Sequence, residues 1–311
     1  MASPREVLDR DPASAPRYRS AAITQGRLLA TLRVAADVLA LAALFWVAVH
    51  VGNIAPPGDA ISYYEARGEH LYGHTLGLPG YAYSPAFAQV ISPLQDLPFP
   101  TFRAIIAGAE LLGLAYLFGP VLALVIVVLQ VYPVWESILL SGNLQILAAA
   151  SLVLALRHPT AWPLVLLVKL TPGIGILWPA LRREWRSLAI GVGLTLAIAA
   201  ASFAIDPHHW FEWVTWMSSS VDASPDRAGL PLPVRFLIAV GLLVYAARAD
   251  RIWLVPVAAA IASPEGGIHW LLLLGVYPLW RSSRSRGPTA PSPATMHSTP
   301  TGAQAGVESP R

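Results

Sequence analysis

The sequence predicts an all-α fold, a polytopic transmembrane helical bundle in which some helices are broken or re-entrant. Of its 311 residues, 55% are hydrophobic and only 13% are charged, whereas a soluble protein carries about 25% charged residues. The apolar residues come in long blocks: Val34 to Val51, Ala104 to Leu129, Ile138 to Leu156, Leu188 to Ile205, Phe236 to Ala247 and Ile268 to Trp280. A bilayer core takes about 20 apolar residues per helix, and backbone groups in lipid must be satisfied within their own segment. The blocks do not alternate as the strands of a membrane barrel would.

Taken in order, residues 1–32 are polar and arginine-bearing and read as a disordered cytoplasmic N-terminus. Residues 33–281 form one membrane domain. Its first span, roughly 33–54, has no small-residue cleavage site after a short apolar core, so it reads as retained rather than as a signal peptide. Residues 55–100 form an acidic external loop rich in Gly, Pro and Tyr. Spans at roughly 101–118 and 120–135 follow, joined at Gly119-Pro120. After a short outer turn, a span at roughly 143–156 returns to Arg157. Residues 159–181 lie between basic flanks and are broken at Pro172-Gly173. They read as two half-helices of a re-entrant hairpin, with a single crossing as the alternative; irregular backbone at that depth requires a protein-lined cavity. A span at roughly 187–205, an acidic external loop at 206–233 and a span at roughly 234–247 come next. Residues 252–280 are again broken, at Ser263 to Gly267. Residues 282–311 read as a disordered cytoplasmic tail. One lysine stands against twenty arginines, and the arginines mostly flank spans on one side, the positive-inside pattern. That places both termini in the cytoplasm and both acidic loops outside, in a multi-pass protein of the cell membrane.

No cysteine is present, which excludes disulfides, thiolate metal sites and cysteine nucleophiles. Nothing points to nucleic acid. Charges within spans are costly and therefore candidate functional groups. Lys169 reads either as a structural cation paired with a carboxylate such as Glu110 or as a cation facing an anionic substrate. Asp37, four residues from Arg33, reads as half of a helix-face ion pair. Asp59 follows Pro56-Pro57-Gly58 beside the membrane surface. It reads as a turn residue or as a general base on a membrane-anchored substrate. Glu265 reads equally as an ion-pair partner or a site residue. His208, His209 and Glu212 lack the one-turn histidine spacing of a zinc site, so no metal and no cofactor are expected. Trp210, Trp213 and Trp216 suit an interfacial aromatic belt or a glycan-stacking surface.

The stretch Gly58-Asp59-Ala60-Ile61-Ser62-Tyr63-Tyr64-Glu65-Ala66, with Leu71-Tyr72-Gly73, Tyr81-Ala82-Tyr83-Ser84-Pro85-Ala86 and Pro93-Leu94, resembles the first external loop of glycosyltransferase family 87. Three further pieces resemble that family in order. Gly142-Asn143-Leu144-Gln145 matches its Gly-Gln-x-Asn with Asn and Gln exchanged. Lys169-Leu170-Thr171-Pro172 matches its Lys-x-x-Pro helix. Ser263-Pro264 with His269 matches a Ser-Pro segment followed by histidine, with Gly266-Gly267 in place of Ser-Trp. Arg235 stands where the family keeps an arginine. The resemblance implies a GT-C-type fold and an inverting transfer of mannose, or another pentose or hexose, from a polyprenyl-phosphate donor to an extracytoplasmic lipid or glycan acceptor. It implies Asp59 as catalytic base and Tyr63, Tyr64, Lys169, Arg235 and His269 as substrate-binding residues, with Asn143, Gln145 and Glu265 as further candidates. A lipid or solute transporter, suggested by the broken helices, and a catalytically inactive accessory protein are the alternatives.

Overall fold

The computed structural model describes residues 15–56, 58–68, 71–72, 81–223, 230–263 and 268–285. Among them every regular element is helical. Three helices are long and apolar enough to cross a membrane: α1 (Ala15–Ile54), from Gln25 on, α4 (Phe99–Phe118) and α9 (Trp185–Ile205). Only 22% of the apolar window of α1 and 11% of that of α9 is buried inside the protein. Phe45, Trp46 and Leu196 point outward, as a lipid-facing surface requires. Helix α1 starts at Ala15, well before the expected span. Once the apolar segment is helical, adding alanine, leucine and arginine residues costs no new nucleation. Arg33 and Asp37 lie on α1, and among the described residues no ion pair joins them.

The other apolar blocks are shorter than a bilayer. The expected span over 120–135 is helical only as α5 (Pro120–Val128), nine residues or about 13 Å. Pro133 explains the stop, because its ring would clash with the Leu129 carbonyl and it has no N–H to donate there. A π-helical turn, Glu136–Ser141, leads to α6 (Gln145–Arg157). The segment 159–181 is two short helices, α7 (Trp162–Leu166) and α8 (Leu177–Leu181), around irregular backbone at 167–170 and a 3₁₀ turn at Thr171–Ile176. Beyond α11 (Leu232–Arg248), the last block is α12 (Val255–Ala262), a 3₁₀ stretch Ile268–Gly275 and α13 (Val276–Ser285). Both broken blocks therefore have two halves. The two loops also hold helices: α2 (Ala60–Tyr64) and α3 (Pro85–Gln95) in the first, α10 (Pro207–Ala223) in the second.

Helices α4, α6 and α12 occupy the centre of the apolar core. Helix α1 packs along α4. At Gly52 the two backbones approach so closely that a Cβ would lie 2.3 Å from the Pro100 carbonyl oxygen, the small-residue contact typical of membrane helices. The arginine-bearing helix ends meet at one end of the bundle. There Arg182 pairs with Asp250 at 2.5 Å, and an Arg157 N–H donates to the Pro278 carbonyl at 3.4 Å. Helix α6 runs about 20 Å from Arg157 back to Gln145, where the two loops gather. A second, aromatic core sits there, containing Tyr63, Tyr81, Tyr83, Phe102 and Leu144.

Candidate active site

The N-terminus of α6 is where buried charge collects. Glu110, on α4 and fully buried, accepts hydrogen bonds from the N–H groups of Ile146 and Leu147 at 3.2 and 3.1 Å. It thereby satisfies two of the donors that the first turn of any helix leaves over, and its charge suits the helix dipole. Seven residues earlier on the same face of α4, Arg103 is also 0% exposed and donates to the Ile138 carbonyl at 2.9 Å. Gly142 closes over that guanidinium in a left-handed conformation with φ +63°. A Cβ there would fall 2.7 Å from Arg103 Nη1 and 3.0 Å from the Ala60 methyl. Only glycine meets both demands.

This arrangement delivers Asn143 to Asp59. The Asn143 N–H donates to the Ser137 carbonyl at 3.2 Å and its own carbonyl accepts from Ser137 Oγ at 3.1 Å, so its backbone is held from both sides. Its side-chain Nδ2 then donates to Asp59 Oδ2 at 2.6 Å, a charge-assisted geometry. The Asp59 N–H in turn donates to the Ser141 carbonyl at 2.5 Å. Two segments 84 residues apart in sequence are thus clamped by backbone and side chain together. Asp59 is half-buried.

Around this pair stand the tyrosines of the first loop. The Tyr63 and Tyr83 hydroxyls lie 2.9 Å apart, and both residues are buried. Burial, then Tyr83 and then the charge of Asp59 push the Tyr63 phenol well above its ordinary value of 10.0, so it remains a neutral hydroxyl. Lys169 lies in the irregular backbone between α7 and α8, half-buried, with Nζ 5.9 Å from the centre of the Tyr83 ring. Ser84 fixes the loop to that break by donating to the Leu167 carbonyl at 2.5 Å. Electrostatic interaction links Glu110 to Lys169 and Arg103, and Arg103 to Asp59. Two carboxylates and two cations thus lie within electrostatic reach of one another. Lys169 has the Glu110 neighbour of the structural reading and, beside Tyr83, a place at the candidate site as well.

Tyr64 belongs to the packing of the loop: its hydroxyl donates to the Leu97 carbonyl at 3.0 Å and its ring meets Phe99 and Phe102 edge-on. Gln145, fully buried, begins α6 directly beside the cluster. Arg235 is buried on α11 and donates to the carbonyls of Ile261 and Ser263 at the end of α12, which satisfies the carbonyls that a helix end leaves over. Glu265 and the side chain of His269 lie outside the described residues. His208 pairs with Glu212 at 3.3 Å and His209 with Asp206 at 2.8 Å, so the two rings serve different partners. Among the described residues no group of three could hold a metal ion.

Sequence reasoning passed over Arg103. The available signal was its position: an arginine at the end of a span that the charge pattern of the sequence assigns to the outside runs against the positive-inside rule and therefore asks for a local partner.

The family model of glycosyltransferase family 87 matches residues 81–294. The matched stretch contains Tyr83, Asn143, Lys169 and Arg235, whereas Asp59 and α2 precede it. No curated protein and no solved structure matches the chain significantly.

Proposed function

Because the chain belongs to glycosyltransferase family 87 and is thereby a membrane glycosyltransferase, we propose that it transfers a sugar from a polyprenyl-phosphate donor to an extracytoplasmic lipid or glycan acceptor, with Asp59 as base. The observation that carries this reading is the Asp59–Asn143 hydrogen bond of 2.6 Å beside Lys169 and the buried tyrosine pair. It is an oriented carboxylate and a cation in one partly open cluster.

The acceptor hydroxyl oxygen attacks the anomeric carbon on the face opposite the phosphate, and the C–O bond to phosphate breaks with inversion. The acceptor proton passes to Asp59. The electron pair leaves with the phosphate, which gains a negative charge. A cation positioned for that charge makes a separate general acid unnecessary, and Lys169 supplies it. Asn143 holds the carboxylate in one orientation, which preserves the near-attack geometry. An apolar cavity of about 360 Å³, lined by Leu170, Trp213, Val214, Met217 and Ser218, includes the residue that follows Lys169 in the chain and suits the first isoprene units of a lipid-linked donor. Arg235 and His269 remain proposed contacts to the donor, and GT-C is the proposed fold type. The arginine-bearing end of the bundle, with Arg157, Arg182 and Arg248, supports a cytoplasmic face there. The charge cluster and both acidic loops then face outward from a multi-pass protein with both termini inside.

The test supplies the purified protein, in liposomes, with labelled polyprenyl-phosphate-mannose, polyprenyl-phosphate-arabinose or nucleotide-sugars, together with membrane lipid extract. The proposal expects label to move from a polyprenyl-phosphate donor only. Transfer from a nucleotide-sugar, or from none of these donors, would overturn it.

A further inference from the structure

The second loop helix, α10, has two unlike faces. Trp213, Val214 and Met217 line the apolar cavity beside Leu170. His208, Glu212, the adjacent Thr215 and Trp216, and Ser219 follow one another at steps of three or four residues and so share the other face. That face and Tyr72 of the first loop line a second, open cavity of about 530 Å³.

Its chemistry is specific. The Trp216 and Tyr72 rings stand 6.1 Å apart and 33° from parallel, forming an aromatic wedge. The Glu212 carboxylate lies in the same cavity, 23% exposed and paired with His208. The hydroxyls of Thr215 and Ser219 donate to the carbonyls of Phe211 and Trp216 on their own helix, so their oxygens remain as acceptors. A sugar ring presents exactly the complement: C–H bonds with slight positive charge for the negative face of an aromatic ring, and hydroxyl protons for a carboxylate. An aromatic residue that only anchors the protein in the membrane interface would turn its ring to lipid. Trp216 instead meets Tyr72 in a cavity that Glu212 also lines. The wedge is also prebuilt. The Tyr72 hydroxyl donates to the Tyr83 carbonyl at 2.8 Å, and His209 Nε2 meets the Gly68 carbonyl at 3.0 Å, joining α10 to the first loop.

We propose that this cavity is a saccharide subsite that holds a neutral sugar unit of the acceptor next to the one that reacts. The proposal rests on the glycosyltransferase reading above. Tyr83 links the two places, since its carbonyl receives Tyr72 and its hydroxyl meets Tyr63 beside Asp59. The negative charge of Glu212 assigns the cavity to the acceptor, because it would repel the phosphate of a donor and any anionic glycan.

Saturation-transfer NMR on the full-length protein in detergent tests this without turnover, using mannobiose, arabinobiose and laminaribiose as neutral probes and a hyaluronan disaccharide as the anionic one. At least one neutral probe is expected to bind saturably, and the anionic one not to bind. Trp216→Ala and Glu212→Gln should each weaken that binding by about tenfold or more, and Trp216→Phe should restore most of it. No binding by any neutral probe, equal binding of the anionic probe, or binding unaffected by both the Trp216→Ala and Glu212→Gln changes would overturn the subsite. Glu212→Gln removes only a charge from a partly exposed helix face, so it decides the matter if Trp216→Ala does not fold. Should saccharide binding fail while Asp59-dependent transfer persists, the subsite alone is wrong. Should binding stand while Asp59→Ala keeps transfer, the base assignment alone is wrong.

Discussion

Replacing Asn143 with alanine removes one side-chain amide and little else. The backbone of residue 143 stays pinned to Ser137 by two hydrogen bonds that involve no Asn143 side-chain atom. What is lost is the 2.6 Å donation to Asp59. A hydrogen bond to a charged group contributes about 1.5–3 kcal/mol. If that orientation matters in the transition state, the loss corresponds to roughly 10- to 160-fold in rate. The assay is the initial rate of label transfer in proteoliposomes at saturating donor, with a thermal melt in detergent to show that the variant folds. The coupling is the sharper readout: in an Asp59→Ala background, Asn143→Ala should cost nothing further, because its partner is gone. A folded Asn143→Ala protein within about twofold of wild-type rate, or one that loses the same factor in both backgrounds, would refute the reasoning.

Gly142→Ala should lower both stability and rate. The methyl meets Arg103 at 2.7 Å in a left-handed backbone, and strain plus overpacking amount to about 2–4 kcal/mol, readable as a lowered melting temperature. Glu110→Ala should be worse, since it leaves two helix N–H groups uncapped and the buried Arg103 without its nearest carboxylate on the helix, about 3–5 kcal/mol; the yield of folded protein in detergent checks it. Lys169→Met should lower kcat/KM for the lipid-linked donor about tenfold or more while leaving the binding of neutral saccharides unchanged. The phenols of Tyr63 and Tyr81 sit well above 10.0 because burial penalises their charged forms. In the folded state they keep protons that the unfolded chain gives up above that value. Their contribution is therefore constant below about pH 10 and declines at higher pH, which melts recorded from pH 7 to 11 will show.

Some of this was legible in the sequence because it is local. Helices α4 and α9 are largely apolar runs of bilayer length, and their ends lie within two residues of the expected ones. The break before Pro172 was legible because proline and glycine interrupt an apolar block. Helix α5 was overestimated because hydropathy continues past Val128 while the backbone must stop ahead of Pro133. Helix α10 was read as loop, since its alternating polar and aromatic residues form a helix face only once they pack against the first loop. The site is harder still. Asp59 could be singled out by its turn, but its tie to Asn143 joins residues 84 positions apart, which no periodicity reveals. The resemblance singles out Arg235, but nothing in the sequence shows that its guanidinium also caps the end of α12. Arg103 looked like an ordinary flank, although it is completely buried.

The central claim is that the Asp59 carboxylate takes the acceptor proton. Single-turnover transfer by purified Asp59→Ala protein in liposomes, at saturating polyprenyl-phosphate-sugar and with donor binding measured in parallel, tests it most directly. The account predicts donor affinity close to that of the wild type, with transfer slowed by about 10²- to 10⁴-fold. Transfer at the wild-type rate by a folded Asp59→Ala protein would contradict it.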